Sequence, residues 1–246
     1  MRVNRNAGTS GKAGMQRIGS IRSAWLMTLT LVLGEGMLSH PGQPLAQEAV
    51  DVGLVNQMTG AVTYLAGNAP GPGMPSRAFM RVRLGDRFTV ADGASLRLIY
   101  FSSGRQETWQ GPASLRAGSV GSELQTGKPP VVVALPVSVP QRMARVPDLV
   151  QGARLGGIVV RGGARGRVAA PASPELERAR GLYRTMREDT SADDVTPELY
   201  LLSVLQEHGQ LDEIESITRD MLKRQPDTPE VKELAKWAQE RAEAPR

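Results

Sequence analysis

Ala94-Ser95-Leu96-Arg97-Leu98-Ile99-Tyr100-Phe101 decides how the first half of this chain folds. Side chains alternate along a strand, so Ala94, Leu96, Leu98 and Tyr100 share one face, and that face is predicted to line a core. Ser102-Ser103-Gly104 then offers turn chemistry, and Gln106-Glu107-Thr108-Trp109-Gln110 resumes extended spacing up to Gly111-Pro112. The two stretches read as a hairpin, with Trp109 and Tyr100 buried rather than exposed as a sugar platform. Similar short units run from Leu54 to Tyr64, Arg81 to Leu84 and Phe88 to Val90, with a glycine- and proline-rich loop from Gly67 to Pro75 between the first two. None is long enough to stand alone, so they must share one core. Val131-Val132-Val133-Ala134-Leu135 has the composition of a buried strand, but Pro129, Pro130, Pro136 and Pro140 restrict pairing around it. Residues 129 to 150 are therefore expected as an extended segment wrapping the β-region, and Leu155 to Gly163 as a last strand between glycine turns.

Downstream, Ala164 to Ser173 reads as a linker, and beyond it helix formers dominate. Ser173-Pro174-Glu175-Leu176-Glu177 combines a capping serine, a proline at the first helical position and acids in the first turn, predicting a helix from about Pro174 to Glu188. Thr196-Pro197-Glu198 and Thr228-Pro229-Glu230 repeat that start signal. Helical periodicity in Leu199, Leu201, Leu202 and Leu205 runs to Gly209. Leu211, Ile214, Ile217, Met221 and Leu222 form the next apolar stripe, closed by Pro226, and Val231, Leu234, Ala235 and Ala238 mark a last one. Four helices in a small antiparallel bundle are expected.

Upstream, Arg2, Arg5, Lys12, Arg17 and Arg22 precede the apolar run Ala24 to Gly34. A basic stretch, a short apolar one and small residues at Ala46 and Ala49 together read as a cleavable export signal, cut after Ala46 or Ala49. The run is about half the ~20 apolar residues that a spanning helix needs, so the membrane is met only through this segment if it stays uncleaved.

The formal charge of +5 shrinks when residues 1 to 46 are set aside, leaving 25 basic and 24 acidic groups. That near balance argues against a nucleic-acid partner. It is also polarised: residues 47 to 170 hold 14 basic and 7 acidic groups, residues 171 to 246 hold 11 and 17. There is no cysteine, so no disulfide or thiolate metal site contributes, and with aromatic residues at 4% the cores must be aliphatic.

The β-region resembles the FecR domain, a family of periplasmic modules found in regulators of iron uptake and in other envelope proteins. The resemblance is carried by Gly53-Leu54-Val55, Gly60-Ala61-Val62, Leu84-Gly85-Asp86, Gly93-Ala94-Ser95-Leu96-Arg97-Leu98, Ser103-Gly104 and Gly111-Pro112-Ala113-Ser114-Leu115, in order over about 65 residues. Ser103-Gly104 stands where the family usually has Asp-Gly. The resemblance implies a periplasmic fold without implying control of a sigma factor. Gly209, Leu211, Ile214 and Pro226 lie at the spacing of a tetratricopeptide repeat beginning near Val195, with Ile214 where that family prefers alanine. An unrelated helical hairpin has the same periodicity. A single repeat cannot bury its own faces, so the flanking helices would complete the stack.

No catalytic set is visible. Past residue 46 the one histidine is His208, beside Gly209 at a helix end, where it meets terminal carbonyls. Asp86, Asp92 and Glu107 match no calcium loop, and Gly85-Asp86 reads as a turn. The expectation is a non-enzyme without cofactor or metal. Two surfaces are candidates for binding. Arg77, Arg81, Arg83, Arg87 and Arg97 form a basic β-face, Arg81 and Arg83 sharing a side by parity, suited to an anionic glycan such as peptidoglycan or to an acidic protein surface. The acidic helical half of the same chain is one such surface. Tyr200, Leu201, Val204, His208, Ile214 and Ile217 would line a helical groove.

The expected architecture is α+β in two separate modules: an export signal over 1–46, an all-β FecR-like module of short antiparallel strands over 47–163 (sandwich or short solenoid), a linker over 164–173 and a tetratricopeptide-like bundle over 174–246. The expected role is protein–protein interaction or signal transduction in the cell envelope, with glycan binding as the alternative.

Overall fold

The computed structural model describes residues 49–156 and 173–243. The expected export signal, the bulk of the strand anticipated between Leu155 and Gly163, and nearly all of the linker lie outside them. An all-β region is followed by helices, as the patterning requires, and the described residues form one compact unit.

Ten strands make two antiparallel five-stranded sheets. They are β1 (Asp51–Thr59), β2 (Val62–Leu65), β3 (Met74–Pro75), β4 (Arg81–Arg83), β5 (Arg87–Val90), β6 (Ser95–Tyr100), β7 (Arg105–Gln110), β8 (Ala113–Ala117), β9 (Ser122–Thr126) and β10 (Val131–Ala134). The first sheet has the order β10-β7-β6-β1-β4 and the second β3-β2-β5-β8-β9. The predicted hairpin is β6–β7, with Leu96 opposite Trp109 and Leu98 opposite Glu107. The unit expected from Leu54 to Tyr64 divides at Gly60, so that β1 joins the first sheet and β2 the second.

Ala94, Leu96, Leu98, Tyr100 and Trp109 pack with Val62, Phe88, Val90 and Leu115 between the sheets. The first sheet is covered on its other side too: Leu54 and Ile99 belong to the hydrophobic core of the helices. It is therefore the middle layer of three. Ile99, apolar and out of phase with the Leu96–Leu98 alternation, is the residue that needs this second cover.

Six helices follow: α1 (Ser138–Met143), α2 (Val146–Arg154), α3 (Pro174–Asp189), α4 (Thr196–Glu207), α5 (Leu211–Arg224) and α6 (Pro229–Glu243). The last four agree with the expected helices. The first two correct the expectation of an extended wrap over 129–150. Pro140 and Pro147 each fall in a first helical turn, where the missing N–H has no partner to lose, so Pro140, read as a barrier to strand pairing, here belongs to a helix start. α4 is buried on nearly every side from Thr196 to Leu205. It packs against α1, α2, α3 and α5, while α6 packs on α2 and α5. Its end is set by Gly209, whose φ of +68° is a conformation side chains with a Cβ rarely adopt.

The charge asymmetry of the sequence has an intramolecular use. Arg142 pairs with Glu175 and Glu207, and Arg154 with Glu230 and Glu233, so the basic half is clamped to the acidic one through α1 and α2.

Candidate functional site

The five arginines singled out from sequence do not form one face. Arg81 and Arg83 do share a side of β4, but both are occupied. Arg81 bridges Asp51 at 2.7 Å and Asp148 of α2 at 2.5 Å, and Arg83 lies 3.5 Å from Asp51. Arg97 projects from β6 toward the helices, donating to Gln57 at 2.6 Å and pairing with buried Asp194 at 3.3 Å. Arg77 is exposed in the segment before β4. Arg87 stands apart on the outer face of the second sheet, donating to the carbonyls of Gly67 and Ala69. The anionic partners of Arg81 and Arg97 are thus within this chain: Asp51 and Asp148 for Arg81, and Asp194 of the acidic helical half for Arg97. Arg87's neighbour is Arg116, directly opposite it in the register; parity along Ala113-Ser114-Leu115-Arg116 gives the face of Arg116 but not that partner.

The helical groove is also corrected. Tyr200, Leu201, Val204, Ile214 and Ile217 are all buried in the helical core, and His208 is half-buried with its Nε2 3.6 Å from Glu175. The concave side that a lone repeat would present is filled by α1 and α2, which pack on α4. These residues hold the layers together instead of lining a free surface.

Among the described residues five carboxylates are buried, Asp86, Glu107, Asp194, Glu198 and Glu230, and each is supplied with donors, as burial of charge demands, Glu230 by Arg154 at 3.2 Å. Glu107 accepts from Trp109 Nε1 at 3.2 Å and Ser122 N at 3.2 Å and pairs with Arg105 at 3.1 Å. Glu198 accepts from Arg187 at 3.0 Å and is ion-paired with Arg224 at 3.1 Å. Asp194 accepts from Gln106 Nε2 at 3.0 Å and Thr196 N at 2.8 Å. Asp86 closes the β4–β5 turn, accepting from Arg83 N and Gly67 N. Among the described residues, no three His, Cys, Asp or Glu side chains converge as a metal site would require. No helix among them is long and apolar enough to cross a membrane.

What remains open is an edge. β10 ends the first sheet, pairing only its inner side with β7, from Val131 opposite Thr108 to Ala134 opposite Arg105. Val131, Val132 and Val133 are 66%, 44% and 53% exposed, so apolar side chains reach solvent on both faces of the strand. Val120, Leu124 and Val137 are exposed as well. Edge strands are ordinarily blunted by charge or by proline within the strand. Here the nearest such residues, Lys128, Pro129, Pro130 and Pro136, only bracket it. The strand composition of Val131 to Ala134 was legible; its place at an exposed edge was not.

No protein-family model, curated protein or solved structure matches this chain. Function has to be argued from the surfaces themselves.

Proposed function

We propose that this is an exported, non-catalytic protein of the cell envelope that recruits an extended segment of a partner protein onto β10. The single observation that carries the reading is the uncharged valine edge, exposed on both faces at the end of a sheet buried elsewhere. Strand addition satisfies the edge's free N–H and C=O groups and covers alternate side chains of the incoming strand. The partner segment is accordingly extended and β-branched or apolar at alternate positions. The prolines on either side confine pairing to about four residues, which opposes runaway edge-to-edge assembly.

The basic and apolar stretches within residues 1 to 46 support export to the periplasm, and the ordered glycine turns support the FecR-like reading of the sandwich. The spacing of Gly209, Leu211 and Pro226 supports a tetratricopeptide-like ancestry for α4 and α5. Signalling in the envelope fits such a protein: its output is an assembly rather than a product.

The chain has no cysteine, so one introduced at Val131 or Val133 can carry a photocrosslinker in intact cells. The expected result is a discrete crosslinked partner that disappears when Val132→Lys is added and persists with Gln125→Lys on β9. Crosslinking that survives Val132→Lys would overturn the reading. Recovery of the native protein from the cytosol with Met1 retained would overturn its export.

A further inference from the structure

A second surface lies on the other sheet and owes nothing to β10. The register aligns Thr63 with Thr89, Thr89 with Ser114 and Ser114 with Thr126, placing four hydroxyls in one row across β2, β5, β8 and β9. With strands about 4.8 Å apart, the row is roughly 15 Å long. Thr63, Thr89 and Ser114 alternate with inward residues such as Val62, Phe88, Val90 and Leu115, and Thr126 bonds Ser114 from the same side, so the row is on the outer face. Ser114 and Thr126 bond each other at 2.7 Å. Thr63 and Thr89 make no side-chain hydrogen bond among the described residues.

The next row on the same face sets Arg87 directly beside Arg116, with Glu123 opposite Arg116. Glu123 answers Arg116 by charge across β8 and β9 without bonding it, while Arg87 and Arg116 remain like charges facing each other across β5 and β8, an arrangement that costs a sheet stability. Arg116 is exposed and has no hydrogen-bond or ion-pair partner among the described residues. Arg87 is held by carbonyls alone. Asp86 cannot neutralise either, since its oxygens accept from Gly67 N and Arg83 N.

The β2–β3 loop walls one end of the hydroxyl row. A Cβ at Gly73 would come within 3.0 Å of Thr63 Oγ1, so glycine lets the loop lie close against the row. Loop and sheet enclose an open hollow of about 270 Å³ reaching from Gly71 and Gly73 to Ser114 and Gln125.

We infer that this face binds an acidic saccharide chain. Hydroxyls both donate and accept, which suits a polyhydroxylated ligand lying along the row. The two planar guanidiniums fit carboxylates bidentately. The hollow is open and of mixed lining, Thr63, Thr89, Ser114, Gln125 and Arg87 standing beside Tyr64 and Leu65, which suits the alternating polar and apolar surfaces of a sugar ring.

Calorimetric titration of the purified full chain with oligogalacturonate, with its methyl ester and with inorganic phosphate tests the inference. Oligogalacturonate is expected to bind, and Arg116→Gln to weaken it about tenfold, the range for losing one charge-assisted hydrogen-bonding group. Thr89→Val is expected to weaken it severalfold, Val133→Lys not at all, and the methyl ester to bind about tenfold less tightly. Both variants alter exposed side chains, and unchanged thermal midpoints would show that they fold. No binding of oligogalacturonate, equal binding of the ester, or wild-type affinity in both Arg116→Gln and Thr89→Val would overturn the inference. Phosphate binding as tightly as the oligosaccharide would overturn the saccharide part, leaving a simple anion site. Because Val133→Lys disables only the edge, failure here and failure of strand addition are read separately.

Discussion

Arg97 Nη1 and Asp194 Oδ2 meet at 3.3 Å, joining β6 to the turn that enters α4. The pair sits inside a cluster in which Asn56 donates to Thr196 Oγ1 at 2.9 Å and Gln106 donates to Asp194 at 3.0 Å. Asp194 is almost wholly buried, so removing it leaves Gln106 and the Thr196 amide without this acceptor and Arg97 without its counter-charge. Asp194→Ala is predicted to cost about 3 kcal/mol, the lower end for breaking a buried pair. Equilibrium urea denaturation measures it, and the loss should persist in high salt because buried pairs are screened little. A cost within 0.5 kcal/mol, about the scale of surface substitutions, would mean that the cluster does not hold the layers.

Tyr100 gives the sandwich an alkaline limit. Burial pushes its phenol well above the ordinary tyrosine range, and the hydrogen bond with Ser122 at 2.8 Å only partly offsets this. A folded-state value above the unfolded one means the contribution is complete below about pH 10 and is lost as pH rises further. Stability is predicted to decline above about pH 10, and Tyr100→Phe to flatten that decline while losing about 1 kcal/mol at neutral pH with the hydrogen bond. Urea midpoints across pH 7 to 12 for both proteins test this, and parallel curves would count against it.

Gly111 ends the hairpin where there is no room for a side chain. A Cβ there would fall 1.7 Å from the Ala91 carbonyl oxygen, and that contact is with backbone, which cannot swing aside. Gly111→Ala is predicted to destabilise by about 3 kcal/mol or more, the upper range for overpacking. Soluble yield and the thermal midpoint report it; a variant as stable as the parent would show that β5 and β7 are not held so closely.

Ser173 caps α3, its Oγ accepting from Leu176 N at 3.1 Å. Ser173→Ala is predicted to cost about 1 kcal/mol and Ser173→Gly only a few tenths. That ordering, read by urea denaturation, separates capping from bulk; equal losses would deny the cap.

Much of the architecture was written locally. Alternation in Ala94 to Tyr100, the turn at Ser103-Gly104 and the proline-led starts at Pro174, Pro197 and Pro229 determine strand, hairpin and helix, because each depends on side-chain parity or on the first turn's own backbone. Composition likewise determined a core without disulfides, but the expected aliphatic core is corrected: Trp109, Tyr100, Phe79 and Phe88 are its largest fully buried side chains. What only the tertiary structure decided is which surfaces stay free. Arg81 and Arg97 looked like a basic face until Asp148 and Asp194 were brought to them from far along the chain. Tyr200 and Ile214 looked like a groove until α1 and α2 closed over α4. Arg116 and the row from Thr63 to Thr126 carry no local motif, since strand register alone aligns them. Local pattern sets which elements form, whereas exposure and neighbourhood depend on contacts between residues distant in the chain, which no stretch of sequence contains by itself.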